Sequence, residues 1–321
     1  MSKIIYIKPE FCMKKFFRNL LNSNLVSRPI LKIAHYIVSN NSVPQNLKNL
    51  IIKLRHYLPQ KKIITKIEFK KGIKATYLLN LKSFGDREIF YCNYEPAVLD
   101  FYQRILPSKE VVWDIGSCTG FYVVLAGLVL KGKGEVFAFE PVPINYDALA
   151  KNVRLNNLTN VHLFNLALSS EDGEAEIYLL DLEKPTSSPT LNRNWAEKSG
   201  LYKLLKVKTR SAMSLLDKGE ILRPDIIKID AETYEPIILR ELEPLLMQND
   251  APDIVCEIMP PSIEPLRKLL IEECNYKCHH INLSGLEKVE ELKMRRPYND
   301  YFFTKNIKIY GKTVKGKFYR Q

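Results

Sequence analysis

From about residue 111 onward, short apolar runs alternate with longer segments of helical periodicity. Runs that are apolar on both faces are typical of strands in a parallel sheet covered by helices on both sides. The pattern therefore predicts an α/β fold whose ligand site lies at the carboxyl ends of the strands. The predicted strands are VVWDIG (111–116), EVFAFE (135–140), VHLFNLA (161–167), DIIKID (225–230) and DIVCEIM (253–259), and the predicted helices are 121–130, 143–156 and 235–248.

The earlier part of the chain and one later segment do not follow this alternation. Residues 61–80 partly alternate around a Lys-Gly turn, which predicts a hairpin. Residues 168–224 are longer than one crossover and contain AEIYLL and LLKVKTR, so we expect a β-rich insertion there. The predicted organisation is a basic helical region at 1–60 and one domain at 61–321. The helical patterns in the first region are 13–21, 30–38 and 47–58.

Positive charge is concentrated near the N-terminus. Residues 1–75 contain sixteen lysines and arginines and two acids, a net charge of +14, so the rest of this +12 chain carries −2. Such a segment has three interpretations: a solvated helical cap on the sheet, a surface that docks peripherally on an anionic membrane, or a site for RNA phosphates. The interleaved Phe11, Phe16 and Phe17 favour the membrane over nucleic acid. A lipid-linked sugar is compatible with that hypothesis.

The composition is that of an ordinary globular protein, with 46% hydrophobic and 26% charged residues. No apolar run is long enough to cross a bilayer, and the N-terminus lacks the pattern of a secretory signal. Six scattered cysteines in 321 residues do not form a disulfide framework. We therefore expect a cytoplasmic protein, which includes one that binds peripherally at the inner membrane surface.

The stretch VVWDIGSCTG (111–120) indicates a strand, a tight turn and the start of a buried helix. A dinucleotide site would show G-x-G-x-x-G, whereas Gly116 and Gly120 are separated by three residues and Asp114 precedes them. We expect the glycines to let the backbone approach a ligand without an intervening Cβ. The strand-end carboxylate would repel a pyrophosphate but suits the ammonium group of S-adenosylmethionine (SAM). Glu140 ends the next strand, where an acid can bind both ribose hydroxyls. These residues predict a SAM site and disfavour NAD.

Several motifs occur in chain order. They are NYEP (93–96), WDIGSCTGFYVVLAG (113–127), GEVFAFEPVPINYDALAKNV (134–153), PDIIKIDAETYE (224–235), IVCEIMP (254–260) and NDYFFTK (299–305). Together they resemble the FkbM family of class I SAM-dependent methyltransferases. The resemblance runs from about residue 91 to 304 and implies a Rossmann-like sheet of seven mostly parallel strands, the last of which, around YFFT (301–304), is antiparallel. It also implies methyl transfer to oxygen, typically on sugars or secondary metabolites.

The resemblance implies roles for individual residues. The first SAM motif of the family corresponds to the 114–120 turn, its ribose-binding acid to Glu140, and its adenine-binding segment to 165–167. The acids of its KIDVEG motif correspond to Asp230 and Glu232. The cofactor-binding residues implied are Tyr94, Glu95, Asp114, Gly116, Ser117, Gly120, Glu140, Asn165, Leu166, Ala167 and Asp230.

The chain departs from the family pattern in two loops. Thr233 stands where the family has a glycine, which puts a Cβ where backbone freedom is expected. SCT (117–119) replaces the more usual turn sequence, but Ser and Thr side chains can hydrogen-bond the backbone and satisfy the turn.

A sugar hydroxyl is a weak nucleophile that benefits from a base, and Asp230 and Glu232 are the candidates. Either one acts as the base and the other orients it, or Asp230 faces the SAM ammonium and Glu232 the acceptor. The non-catalytic alternative is that both cap the next helix. The predicted acceptor contacts are Ser187, Ser188, Asn192 and Glu235.

Other classes of function remain open at this stage. One is an RNA-modifying methyltransferase that uses the basic region, and another is a non-catalytic SAM-binding protein, which the Thr233 departure allows. CNYKCHH (274–280) leads into a strand whose successive side chains point to opposite faces, so we expect no metal site there. IMPPS (258–262) follows the fifth strand rather than the fourth, which argues against methylation of a base nitrogen.

Overall fold

The structure, a computed structural model, describes residues 24–40, 42–54, 58–179, 189–200, 203–295 and 298–306. These residues form two compact units. The first contains the described residues up to Glu68 together with Tyr77–Tyr94, and the second contains Phe69–Thr76 and the described residues from Glu95 onward. The domain boundary at residue 60 stays a prediction. The helical pattern at 13–21 lies outside the described residues.

The first unit combines helices with a two-stranded sheet. Its elements are α1 (Asn24–Ser39), α2 (Gln45–Leu54), β1 (Lys62–Glu68), β2 (Lys74–Asn80), whose first residues belong to the second unit, and α3 (Phe84–Phe90). β1 and β2 pair with each other in a two-stranded sheet. His35 of α1 links three elements, because its ring nitrogens lie 2.8 Å from the carbonyl oxygen of Phe90 and 3.0 Å from that of Lys66.

The second unit is built around a large mixed sheet. The strands of this unit are β3 (Val111–Ile115), β4 (Glu135–Phe139), β5 (Val161–Phe164), β6 (Ala167–Ser169), β7 (Gly173–Leu179), β8 (Lys203–Ser211), β9 (Ile226–Ile229), β10 (Asp253–Glu257), β11 (Lys277–Asn282), β12 (Gly285–Lys288) and β13 (Asp300–Thr304). The large sheet has the order β12-β11-β13-β10-β9-β3-β4-β5. β13 runs antiparallel to both neighbours, whereas β10, β9, β3, β4 and β5 are mutually parallel. The α/β fold and the antiparallel last strand are therefore confirmed.

Two details of the sheet differ from the expectation. It has eight strands rather than seven, because β12 turns back on β11 as a hairpin. Residues 161–167 do not form one strand: β5 ends at Phe164, and Ala167 pairs with Thr209 in a separate sheet. Between these strands the side-chain amide of Asn165 donates to the carbonyl oxygen of Glu140 at 2.9 Å, where the chain leaves the large sheet.

Helices cover both faces of the large sheet. The helices of the second unit are α4 (Pro96–Ile105), α5 (Phe121–Leu130), α6 (Pro143–Leu155), α7 (Arg193–Ser199), α8 (Ala212–Asp217), α9 (Glu235–Glu241), α10 (Glu243–Leu246) and α11 (Pro260–Leu266), which continues into a π-helix (Arg267–Glu273). On one face Trp113 and Ile227 share a buried core with Leu239 of α9. On the other, the ring of Phe101 in α4 lies 4.8 Å from that of Phe302. Within the part of the chain that is described, no helix combines the length and apolar character needed to span a bilayer.

The helix predicted at 235–248 is divided into α9 and α10. Pro244 lies just after the break and has no N–H with which to continue the hydrogen-bond ladder of α9. The insertion predicted at 168–224 is β-rich, as expected. β7 and β8 pair in antiparallel fashion, and β6 joins β8 to complete a three-stranded sheet.

Candidate active site

Three predicted site acids lie at the same edge of the large sheet. Asp114 of β3 is paired in register with Lys228 of β9, Glu140 directly follows β4, and Asp230 directly follows β9. Because β4, β3 and β9 are parallel neighbours, their carboxyl ends meet, as the sequence predicts. The backbone N–H of Asp230 also donates to the carbonyl oxygen of Ile115 at 2.9 Å, which holds the two strand ends together.

The turn after β3 is tied to the end of β4 through backbone groups. The N–H groups of Gly116 and Ser117 both donate to the carbonyl oxygen of Phe139, at 3.0 and 3.1 Å. The Ser117 hydroxyl donates to the carbonyl oxygen of Asp114 at 2.8 Å, so Ser117 closes the turn as expected. These bonds aim the turn at the edge where Asp114 and Glu140 lie.

The two glycines of the turn are required by packing within the protein. Gly116 has a φ of +81°, and a Cβ there would overlap the backbone carbonyl oxygen of Asp230. Gly120 has a φ of +86°, and a Cβ there would meet the Leu149 side chain of α6. The expected reason for these glycines was close approach to a ligand. The structure instead shows close approach of the β3 turn to the β9 loop and to α6.

Asp114 is a buried acid whose side chain lacks one of its expected hydrogen bonds. It is 2% exposed, and its Oδ2 atom has no hydrogen-bond partner within the described part of the chain. Burial raises the pKa of this carboxyl to about 6, although Lys228 and Ser117 act in the opposite direction. A buried carboxylate oxygen without a donor costs free energy, which a bound cation or donor group would recover.

Glu140 anchors the β3 turn. Its Oε2 accepts from the backbone N–H of Cys118 at 2.8 Å, and its Oε1 accepts from the N–H of Val142 at 2.9 Å and from the Asn145 amide at 3.3 Å. Burial raises the pKa of this carboxyl to about 7, while the three hydrogen bonds oppose that shift. A carboxylate oxygen can accept two hydrogen bonds, so Oε2 keeps capacity for a ligand hydroxyl.

The segment 165–167 lies beside Glu140. The Asn165 amide contacts the carbonyl oxygens of Glu140 and Pro141, at 2.9 and 3.2 Å. Leu166 is 9% exposed and Ala167 is 8% exposed, so both residues belong to the interior. The contact of this segment's backbone with the ligand stays a prediction.

The loop after β9 has a strained backbone. Glu232 and Thr233 have φ values of +49° and +77°, a left-handed conformation that is unusual for any residue with a Cβ and especially for a β-branched one. Thr233 therefore keeps a backbone conformation typical of the glycine that the family pattern has there. The hydroxyl of Thr190 donates to the carbonyl oxygen of Glu232 at 2.6 Å and helps to hold this loop.

Glu235 differs from its predicted role as an acceptor contact. It is 2% exposed, and its Oε1 accepts from the N–H groups of Ala231 and Thr233, at 2.9 and 3.1 Å. Its Oε2 accepts from the Ser262 hydroxyl at 2.9 Å. Burial raises the pKa of this carboxyl to about 7. The side chain is therefore occupied in holding the β9 loop.

The remaining predicted residues are dispersed. Asn192 caps α7, where its Oδ1 accepts from the N–H of Trp195 at 3.1 Å. Tyr94 belongs to the first unit, where its ring lies beside Gly85. Glu95 begins the second unit with a φ of +39°, and its Oε2 accepts from the hydroxyl of Tyr122 at 2.8 Å. Ser187 and Ser188 lie outside the described residues.

Three residues at this edge were missed by the sequence analysis. Lys228, Glu257 and Asp300 lie close to Asp230 and Glu95, as their mutual electrostatic effects show. Glu257 ends β10, so the rule that sites lie at the carboxyl ends of strands could have found it. Asp300 begins an antiparallel strand, to which that rule does not apply. Among the described residues, no group of three or more His, Cys, Asp or Glu is arranged to hold a metal ion.

The strand order and the antiparallel β13 define the class I methyltransferase fold. Residues 114–278 match the domain described as the methyltransferase FkbM domain, and the chain belongs to this family. The resemblance stated from the motifs is thereby confirmed. The family is SAM-dependent. The sheet edge that carries Asp114, Glu140 and Asp230 fits a cationic cofactor of this kind, because Oδ2 of Asp114 has no hydrogen-bond partner among the described residues.

Individual relatives match parts of the chain. Over 133 residues it is 30% identical to the hexuronic acid methyltransferase AglP of Haloferax volcanii, which covers 41% of this chain and 50% of that protein. Over 85 residues it is 31% identical to the ribosomal protein L11 methyltransferase of Thermoanaerobacter pseudethanolicus, with coverages of 26% and 27%. The chain thus spans half or less of these curated relatives. A solved SAM-dependent O-methyltransferase from Thermotoga maritima is 13% identical, with 80% of each chain covered and a TM-score of 0.38.

Gly116→Ala is expected to destabilise the protein by about 2 kcal/mol more than Gly132→Ala. Both glycines have a φ near +80°, but a Cβ at Gly132 would meet no atom within 4 Å, whereas a Cβ at Gly116 would overlap the Asp230 carbonyl oxygen. Gly132→Ala therefore measures only the free energy needed to place a residue with a Cβ in the left-handed backbone conformation, roughly 1–2 kcal/mol. The measurement is the free energy of unfolding in urea. Equal losses of unfolding free energy in the two variants would contradict the close contact between the β3 turn and the β9 loop.

Proposed function

We propose that this protein transfers the methyl group of SAM to an oxygen atom of a sugar, glycan or lipid-linked small molecule, most readily a hydroxyl and alternatively a carboxyl. The observation that carries the proposal is the buried Oδ2 of Asp114, which lacks a hydrogen-bond partner among the described residues and lies at the tip of β3 beside the 116–120 turn. Membership of a SAM-dependent methyltransferase family supports the same donor.

The chain offers a separate group for each part of SAM. Asp114 would bind the ammonium group, because its Oδ2 atom is buried without a donor among the described residues. Glu140 would bind the ribose hydroxyls with its remaining acceptor capacity. The backbone of 165–167 would contact the adenine edge. When bound, SAM supplies a methyl group made electrophilic by the positive charge on its sulfur.

The acceptor side of the proposal rests on Asp230 and Glu232. Methyl transfer needs the acceptor oxygen held in line with the methyl group, and a hydroxyl also needs a group that takes its proton. Both acids follow β9 at the edge that carries Asp114, and the Glu232 backbone is held in its unusual conformation by the bond from Thr190. Ser187, Ser188 and Asn192 stay candidates for contact with the acceptor.

The printed name of one relative supports a carbohydrate acceptor. AglP is a hexuronic acid methyltransferase, and its similarity to this chain extends over half of its own length. We therefore propose a sugar or glycan as the first class of acceptor to test.

A second proposal concerns the first unit, which we expect to bind peripherally to an anionic membrane surface. None of the residues of α2 is buried, and Leu47, Leu50 and Leu54 are between 39% and 49% exposed at the spacing of one helix face. Lys48 and Lys53 lie on the same helix, and no acid occurs between residues 24 and 67. An exposed apolar face with lysines and no acids is complementary to anionic lipid.

Isothermal titration is expected to show SAM binding and no NAD binding by the wild-type protein. Asp114→Asn should weaken SAM binding by about tenfold or more, because a buried charged contact contributes roughly 1.5–3 kcal/mol. Asp147→Asn, which removes an exposed acid of α6, is the matched control and should leave the affinity unchanged. A folded wild-type protein that does not bind SAM would refute the proposed function.

Transfer of a tritiated methyl group to neutral sugars and hexuronic acids tests the catalytic residues. If Glu232 is the base, Glu232→Gln should lower the transfer rate by about 10²–10⁴-fold while SAM affinity is retained. If Asp230 is the base, Asp230→Asn should show that loss instead. Glu171→Gln, at an exposed acid, is the control. Wild-type rates in both variants would indicate that neither acid is the base, and no transfer to any acceptor would favour a SAM-binding protein without catalysis.

Co-sedimentation with vesicles tests the membrane proposal. The wild type should bind vesicles of anionic lipid and not vesicles of phosphatidylcholine alone, and Leu50→Gln with Leu54→Gln should weaken binding by about tenfold or more, because each buried leucine contributes about 1.5 kcal/mol or more. Leu222→Gln, at a leucine of the second unit that is also about half exposed, is the control. Equal binding of all three proteins would contradict the role of α2, and retention of RNA at physiological salt would favour nucleic acid.

A further inference from the structure

A group of carboxylates that we call the acidic cluster surrounds one lysine at the carboxyl edge of the large sheet. Each member either perturbs the ionisation of Lys228 or of another member, or, as for Glu257, is itself perturbed by other members, which places them within electrostatic range. The acidic cluster consists of Glu95, Asp114, Asp230, Glu257 and Asp300. Five acids therefore face one cation among the described residues of this region.

Glu257 and Asp300 are two acids of the cluster that lie directly opposite each other. They are direct partners in the antiparallel register of β10 and β13. Directly opposite residues of such a pair have Cβ atoms about 4.5–5.5 Å apart and side chains on the same face. Like charges at this position repel strongly, so the two side chains cannot both be ionised without a compensating cation.

Lys228 interacts with several acids of the cluster at once, Asp300 included. It is paired in register with Asp114 on β3, and its ammonium lies 4.7 Å from the centre of the Tyr122 ring. Burial alone would lower the pKa of Lys228, but Asp230, Asp114 and Glu95 outweigh burial and raise it, so it stays charged. Its single charge is shared among Asp230, Asp114, Glu95 and Asp300.

The environment of the Glu257–Asp300 pair favours its protonated form. The charge of Asp230 and then burial raise the pKa of Glu257 to about 10, and burial followed by Glu95 raises the pKa of Asp300 well above its usual range. Two interacting carboxyls titrate as one unit, so the pair keeps a proton at neutral pH. The other titratable or charged groups that face the pair are Glu95, Lys228, Asp230, Glu232, Cys256 and Tyr298.

An independent observation indicates that a cationic ligand enters this region. Asp114 belongs to the cluster and is 98% buried, since it is 2% exposed, yet its Oδ2 has no partner among the described residues. SAM carries positive charge on both its ammonium and its sulfur. Its product S-adenosylhomocysteine (SAH) keeps the ammonium but has a neutral thioether, so the two molecules differ by one charge at the sulfur.

We propose that the Glu257–Asp300 pair carries one proton in the ligand-free protein and releases it when the positively charged sulfur of SAM enters the acidic cluster. This inference rests on the proposed methyl-transfer function and assigns the pair the task of distinguishing SAM from SAH. One positive charge enters and one proton leaves, so the net charge of the cluster is unchanged. With SAH the sulfur is neutral and the pair keeps its proton.

The pair also completes the proton balance of the transfer. The acceptor oxygen forms a bond to the methyl carbon, the carbon–sulfur bond breaks, and its electron pair stays on the sulfur. The hydroxyl proton must then go to a base. Having released its proton when SAM bound, the Glu257–Asp300 pair can take up the one that the hydroxyl loses, either directly or after Asp230 or Glu232 has accepted it. The pair thereby returns to the protonated form that we assign to the SAH complex.

Titration calorimetry at pH 8 in phosphate and in Tris measures the number of protons released, because these buffers differ in ionisation enthalpy. SAM should release roughly 0.5–1 proton and SAH less than about 0.2. Between pH 7 and 9 the Kd for SAM should fall by up to about tenfold per pH unit, while the Kd for SAH stays nearly constant. At pH 8 Asp114, with a pKa raised to about 6, is already ionised and adds little to the release.

The variants Glu257→Gln and Asp300→Asn should abolish the difference in proton release between SAM and SAH. Glu290→Gln, which removes an exposed acid outside the cluster, should retain it. Equal release with SAM and SAH, or unchanged release in both cluster variants, would overturn the inference while SAM binding itself upholds the proposed cofactor. A wild-type protein that binds no SAM would overturn both.

A measurement without ligand tests the inference even if the variants bind SAM poorly for other reasons. A folded-state pKa raised to about 10, against 4.5 for an unperturbed glutamate, means that the folded protein binds more protons than the unfolded chain between these values. The protonated Glu257 therefore contributes fully to stability below a pH of 4.5, and this contribution is lost as the pH rises through the folded-state pKa of about 10. Glu257→Gln should therefore flatten the fall in unfolding temperature between pH 6 and 9. A fall as steep as that of the wild type would overturn the inference.

Discussion

The buried charge of Lys228 is the feature on which the acidic edge of the sheet depends. Lys228 lies in β9 between β3 and β10 and is only 7% exposed. Without a cation at this place, burial would drive Asp114 further toward its neutral form, and the edge would lose part of its preference for positive ligands. The Tyr122 ring under the ammonium, together with the bond from its hydroxyl to Glu95, connects this charge to α5 and to the start of α4.

The two loops that shape the site are held in the same manner. Glu140 accepts from the backbone of the β3 turn, and Glu235 accepts from the backbone of the β9 loop. Each acid follows a strand in the sequence. It accepts hydrogen bonds from backbone N–H groups of loops, which are not part of the hydrogen-bond ladder of a strand or helix. The loops then contact one another through Gly116 and the Asp230 carbonyl. Buried carboxylates therefore serve both as builders of the loops and as candidates for binding.

The parts of the fold that the sequence predicts are those with a strong local pattern. The apolar runs around Trp113, Phe137 and Ile227 give strands within one or two residues of the observed bounds, and Asp114, Glu140 and Asp230 follow because parallel strands place their ends together. The division at Phe164 was missed, since the apolar run continues through Leu166 although the chain changes sheet. The hydrophobic pattern records apolar character and carries no sign of which sheet a segment joins.

The missed part of the site depends on contacts that are distant in sequence. Glu257 and Asp300 are 43 positions apart by their residue numbers, and only the pairing of β10 with β13 brings them together. Glu235 looks like an exposed acid at a helix start, and its true role depends on how the preceding loop folds back on it. Such roles arise from tertiary register, for which a single sequence carries no local signal.

The left-handed conformation at Thr233 has a consequence for how the site works. A threonine with a φ of +77° carries strain of about 1–3 kcal/mol, and it persists because Glu235 binds its N–H and that of Ala231. The strain is thus incurred once, during folding, and the loop is already shaped before any acceptor arrives. The strained loop lowers the folding stability of the protein, but it is preorganised for binding. An incoming molecule does not have to immobilise the loop, so binding loses less free energy to ordering and the affinity is higher.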